Sequence, residues 1–141
     1  MTALVIDASV WVCAADAADT MSAPSRTFLR AVMLRRDPIA LPAIARLEVA
    51  CALSRRLRDA GRGRDLAHRL LHSPLITEID LGSLLGTALT AGTESFLCAG
   101  DAFYAAVATD EDGIIISWDE ELLRRANAVT PSAWLSEHGQ A

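Results

Sequence analysis

Ala3-Leu4-Val5-Ile6-Asp7-Ala8-Ser9-Val10 decides how this chain is read. Ala3 to Ile6 forms an apolar run of strand length, ending in two β-branched residues. Ser9 to Ala15 then carries a helical pattern with almost no gap. Asp7 stands at the junction. A carboxylate beside a core-forming run is costly unless it is paired, hydrogen-bonded or bound to a cation.

Working outward, the same alternation repeats. A helix is expected from Pro24 at its first position to about Arg36, with Phe28, Leu29, Val32 and Met33 on its apolar stripe. Ile39 to Leu41 predicts a second strand. A long helix follows over Ala43 to Ala60, stopped by Gly61, and another over Asp65 to His72, stopped by Pro74. Leu75 to Ile79 predicts a third strand. A helix over Leu81 to Thr93 is weakened by Gly82, Gly86 and Gly92. Asp101 opens a small-residue helix to Thr109. Ile114 to Ile116 predicts a fourth strand, Glu120 to Asn127 a helix, and Val129 a short edge strand. Strands alternating with helices imply an α/β fold, a parallel sheet of four to five short strands between helices. No repeat, linker or low-complexity tract appears, so one domain over residues 1–141 is expected.

The chain has 141 residues, 52% of them apolar and 5% aromatic, enough for a substantial core. Its net charge of −5 argues against a nucleic-acid coat protein, but not against an enzyme that touches RNA locally. All 13 basic residues are arginine, which excludes any mechanism that needs a lysine. Cys13, Cys51 and Cys98 are odd in number and form no C-x-x-C pair; buried thiols in a reducing compartment are expected. No targeting segment or membrane-length apolar run is visible, so a cytoplasmic location is expected.

Three further carboxylates share the discomfort of Asp7. Glu48 interrupts the apolar stretch from Leu47 to Leu53. Helical spacing puts it on a face with Ile44, Cys51, Ala52 and Arg55. Asp101 heads its alanine-rich helix, and Asp119 follows the last isoleucine run. Asp7 and Asp119 both fall just past a strand's carboxyl end, where ligands of open parallel sheets gather. Helix capping is an alternative for Asp7 and Asp101, and Ser117 with Glu120 reads as a capping box. Glu48 has no such alternative beyond a long reach to Arg55. An acidic set of this kind suits magnesium or manganese, which prefer oxygen ligands and can activate water against a phosphodiester. Ser9 and Ser117 could orient ligands from behind, or simply cap helices.

Other chemistries fail on particular residues. His68 and His72 have the spacing of a zinc helix, but Arg69 stands where a metalloprotease needs glutamate. No G-x-S-x-G elbow or phosphate-binding P-loop occurs. Receiver domains and aspartate-nucleophile phosphatases also begin with a strand ending in aspartate, but both rely on a lysine. Arg55, Arg56, Arg58, Arg62, Arg64 and Arg69 form a basic stretch, read either as a solvated helix face or as a track for RNA or an acidic segment. Trp118 either packs the sheet rim or stacks a base.

Four short motifs, in order, resemble the PIN-domain nucleases, and among them the small VapC-like toxins. They are Val5-Ile6-Asp7-Ala8-Ser9-Val10, Leu47-Glu48-Val49, Gly100-Asp101-Ala102 and Ile116-Ser117-Trp118-Asp119. The resemblance implies a three-layer α/β/α domain and a Mg2+-dependent endoribonuclease, with Mn2+ able to substitute. It implies that Asp7, Glu48, Asp101 and Asp119 form the metal pocket. It further implies a toxin of a type II toxin–antitoxin system, dimeric, and silenced by a VapB-like antitoxin whose C-terminal segment fills a groove leading to the pocket. The arginine stretch is a candidate contact for that segment. Phe103-Tyr104 after Asp101 is the least typical feature. A catalytically silent RNA- or protein-binding module, or a DNA-directed nuclease of the same fold, are the alternatives.

Overall fold

The computed structural model of the chain describes residues 2–139. Its centre is a parallel sheet of β1 (Leu4–Ile6), β2 (Ile39–Pro42), β3 (Ile76–Ile79) and β4 (Ile114–Ile116), in the order β3-β2-β1-β4. β1 and β2 are buried throughout, as strands covered on both faces must be, which is why they read as unbroken apolar runs. β3 lies at an edge and exposes Thr77 and Glu78. Val129 forms only an isolated parallel bridge to Ile116.

The helices are α1 (Ala8–Ala15), α2 (Ser22–Arg35), α3 (Ile44–Leu57), α4 (Ala60–Leu71), α5 (Leu81–Glu94), α6 (Ala99–Asp110), α7 (Glu120–Arg125) and α8 (Pro131–His138). They flank the sheet as expected. α6 packs directly against β1, β2 and β4, presenting the buried small face of Ala102, Ala105 and Ala106. Trp11 donates its indole N–H to the Ile6 carbonyl at 3.0 Å, which ties α1 to the end of β1.

Several boundaries differ from the sequence expectation. α2 begins at Ser22, so Pro24 lies within the first turn rather than at its start. Its missing N–H costs nothing there, because first-turn N–H groups have no intrahelical partner. α3 ends at Leu57, not Ala60. Arg58 turns left-handed at φ 54°, and the Asp59 carboxylate then accepts from the Arg62 N–H at 3.0 Å to open α4. An aspartate cap therefore outcompetes Gly61 as the boundary. Asp119, not Ser117, caps α7, accepting from the Glu121 N–H at 3.0 Å. The sequence reading missed α8. It is secured by Trp134, packed edge-on to Phe28 at 5.2 Å and covered by the Arg35 guanidinium. Cys13 is buried, but Cys51 and Cys98 are exposed, against the expectation of three buried thiols.

Candidate active site

β1 has β2 on one side and β4 on the other, so the chain reverses direction of travel across the sheet between β1 and β4. Crevices open at the carboxyl ends of strands at such a switch point. The Asp7 N–H donates to the Ile116 carbonyl at 2.9 Å, locking the two strand ends together. That bond puts Asp7 beside Ser117, and Asp119 two residues further on.

Asp7 is buried, and it caps α1 with a 3.4 Å bond from the Ser9 N–H. It also accepts from the Ser117 hydroxyl at 2.8 Å. Ser117 in turn accepts from the Asp119 N–H at 2.9 Å. Ser9 lies 3.4 Å from Ser117 and accepts from the Trp118 N–H at 3.1 Å. Neither serine is a helix cap; both are links in a hydroxyl chain that orients Asp7. Trp118 is half-buried and donates its indole N–H to Ser25 at 2.8 Å, so it packs the rim.

α3 and α6 bring in the other two acids. Asp101 lies in the first turn of α6, and Cys98 takes the N-cap position. Glu48 projects from the middle of α3, half-buried. Its Oε1 accepts from the Tyr104 hydroxyl at 2.8 Å. A Cβ on Gly100 would lie 3.0 Å from Oε2. The sequence reading named Tyr104 and Gly100 but gave neither a part in holding Glu48. The usable signal was the chain's only tyrosine, three residues past Asp101 on an alanine-rich helix and so on the same face.

The four carboxylates repel one another. Burial raises the carboxyl of Asp7, opposed by its serine donors and reinforced by Asp119. Burial also raises Glu48, opposed by Tyr104 and reinforced by Asp7. Asp101 is pushed up to about 6 by burial, eased by Cys98 and reinforced by Asp119 and Asp7. Among the described residues none of the four acids takes part in an ion pair. Carboxylates held close together by neutral donors, with no arginine to relieve them, suit a hard divalent cation. Among the described residues no three of His, Cys, Asp and Glu form a ready-made cage. Magnesium asks for less, since it keeps several waters and shares phosphate oxygens of the substrate.

Two grooves run along α3. One, of about 420 Å3, runs past Glu48, Ser9, Cys13 and Arg55. A larger one, of about 900 Å3, lies between α3 and α4, away from the acids. Leu47, Cys51 and Arg55 line both, so a single path leads from Glu48 along α3 into the hairpin.

The fold and the site define an α/β protein with an acidic crevice at the switch point of a parallel sheet. The chain belongs to the PIN domain family, whose sequence profile matches residues 4–128. PIN domains are generally nucleases, and those nucleases usually use divalent metals. The fold is similar to that of PAE2754 from Pyrobaculum aerophilum (TM-score 0.70, 19% identity, 99% of this chain and 91% of that one). It is also similar to a chain in a toxin–antitoxin complex from Klebsiella pneumoniae (TM-score 0.66, 17% identity, 92% of this chain and 98% of that one). No functionally curated protein matches the sequence. No helix among the described residues is long and apolar enough to cross a membrane.

Proposed function

We propose that this protein is a Mg2+- or Mn2+-dependent endoribonuclease, acting as the toxin of a type II toxin–antitoxin pair in the VapC manner. The observation that carries the nuclease reading is the convergence of Asp7, Glu48, Asp101 and Asp119 with no cationic partner among them. A divalent cation bound there supplies a charge clamp on the scissile phosphate and a lowered pKa for the attacking water. Asp7, Asp101 and Asp119 present oxygens from the switch-point crevice, and Glu48 presents one from α3. The serine chain keeps Asp7 aimed and opposes the upward push of burial on its carboxyl, and Trp118 packs the rim on the Ser25 side. Asp101, pushed up to about 6, keeps its proton to higher pH than an ordinary aspartate, and a bound cation would favour its ionised form. The decisive experiment compares cleavage of RNA and single-stranded DNA by the wild type and Asp101→Asn, with Mg2+, with Mn2+ and with chelator. Metal-dependent RNA cleavage lost in the variant supports the reading. RNA bound without turnover points to a silent binding module, and preference for DNA to a DNA-directed nuclease.

The regulatory part of the reading rests on the path along α3. Its apolar floor holds Leu47, 61% exposed, and its rim carries Arg46, Arg55 and Arg64. An amphipathic antitoxin segment with acidic residues matches both features. A second copy of the chain is assigned to a different surface, where Leu85 and Leu89 on α5 and Phe96 beyond it stand exposed at 59%, 69% and 77%. Apolar residues so displayed mark an association surface. Leu89→Arg should shift the mass in solution from dimer to monomer; an unchanged mass overturns the assignment.

A further inference from the structure

We propose that Tyr104 is a positioning residue of the acid pocket, its hydroxyl holding Glu48 in the orientation that receives the divalent cation. The inference rests on the reading of that pocket as a cation site. Glu48 is the acid with the least backbone help. Asp7 and Asp119 each accept a main-chain N–H as helix caps, whereas Glu48 leaves the middle of α3 on a long, rotatable side chain. Among the described hydrogen bonds, its only one comes from Tyr104. Its other oxygen lies against Gly100, where a Cβ would come within 3.0 Å. α6 thus grips this carboxylate from both sides, through residues one before and three after Asp101.

Tyr104 is 0% exposed, and its ring packs in the core. A phenylalanine ring would fill the same space, so the hydroxyl is the distinguishing feature. A buried phenol must find a partner, and Glu48 is the one it has. The choice of a neutral donor has a consequence. An arginine at this point would orient Glu48 but cancel its charge; a phenol orients it and leaves the charge available. Ser117 does the same for Asp7 at the same 2.8 Å distance. Two acids from different elements are therefore aimed by hydroxyls.

The test is a double-mutant cycle read by calorimetric titration of Mn2+ into metal-free protein. Its members are the wild type, Tyr104→Phe, Glu48→Gln and the double variant, with melting temperatures taken alongside. Tyr104→Phe should weaken Mn2+ binding by roughly 10-fold, the scale of a lost outer-shell bond. It should weaken binding no further once Glu48 is glutamine. Unchanged affinity in Tyr104→Phe overturns the proposal. So does an equal loss in both backgrounds, which would make the tyrosine a general packing element. If folded wild-type protein binds no Mn2+, the cation-site reading falls and this inference with it. If the wild type binds and only the cycle fails, the pocket stands and the role of Tyr104 does not. Should the phenylalanine variant fail to fold, Gly100→Ala perturbs the same carboxylate from its other side; unchanged Mn2+ affinity there also overturns the proposal.

Discussion

α3 joins two regions of opposite design. In one, Glu48 joins Asp7, Asp101 and Asp119, charges of one sign that are partly or wholly buried, hydrogen-bonded to hydroxyls and main chain, and unpaired. Further along α3, Leu47, Cys51 and Arg55 lead into a groove that is apolar, exposed and edged with arginine. Where arginines meet acids on this protein they do so elsewhere: Arg56 bridges Asp16 and Asp19 at 2.8 Å, and Arg46 reaches Glu78 at 3.1 Å. Charge in the pocket is stored under repulsion, which a cation can relieve. In the groove, unneutralised Arg55 and Arg64 sit over apolar floor, which suits a transient partner. The comparison predicts that damage on one side leaves the other working.

The largest effect should come from the pocket. On the proposed reading, Asp101→Asn is expected to lower RNA cleavage more than about 100-fold, since a proposed ligand to the ion would be lost. Yet the metal-free variant should melt higher than the wild type, because a repelled charge has gone. The sign in pH follows. Asp101 is raised in the folded state to about 6 and is ordinary in the unfolded chain. The folded protein therefore holds the extra proton between those values, and stability falls as pH climbs from about 4 through 6. Melting of metal-free protein across that window should show the decline, and Asp101→Asn should flatten it. A steeper slope in the variant would break the assignment of repulsion to this pocket.

Ser117→Ala comes next. It removes the hydroxyl that aims Asp7 and helps keep it ionised. A loss of roughly 10- to 100-fold in Mn2+ affinity is expected, with partner binding in the groove unaffected. Equal affinity for Mn2+ would reduce the serine chain to a structural feature.

On the groove side, Gly63→Ala tests the scaffold. Gly63 is buried where α4 crosses α3, and a Cβ there would meet the Ser54 hydroxyl and stand 2.7 Å from its backbone N. Backbone cannot yield as a side-chain tip can, so the hairpin must splay. About 1–3 kcal/mol of stability should be lost in a denaturant titration, and the groove widened, while cleavage per folded molecule persists.

These residues also show what sequence can and cannot reveal. The sheet was legible because β1 and β2 are short, fully buried and unbroken in apolar character, and β4 is a run of three isoleucines. The acids were legible because Asp7 and Asp119 follow such runs, and Glu48 and Asp101 lie in apolar helical stretches. Tyr104 was not, because its ring obeys the apolar pattern of α6 and only its last atom departs from it. Ser117 was misread as a cap because the local pattern Ser117 to Glu120 satisfies a capping box; its actual partner, Asp7, is distant in the chain and reached only through the β1–β4 pairing. α8 was missed because its burial depends on contacts with α2, chiefly Phe28 and Arg35 against Trp134, which no periodicity within the tail announces. The two left-handed arginines, Arg36 and Arg58, end α2 and α3 without the glycine that usually signals such a turn.

The smallest effect should come from Arg55→Glu. Arg55 is exposed, makes no ion pair among the described residues, and lines both the hairpin groove and the passage toward Glu48. Two roles meet at this residue and predict different outcomes. If it guides the RNA backbone, reversal of its charge raises KM for RNA, more so at low salt, with kcat unchanged. If it contacts only an acidic antitoxin segment, cleavage is untouched and partner affinity falls by about 1 kcal/mol or less, the scale of an exposed ion pair. Measuring both on one variant at two salt concentrations decides whether the groove and the pocket are separate surfaces or two ends of one track. A fall in kcat itself would break the division at α3, because it would mean that a groove residue reaches the scissile phosphate.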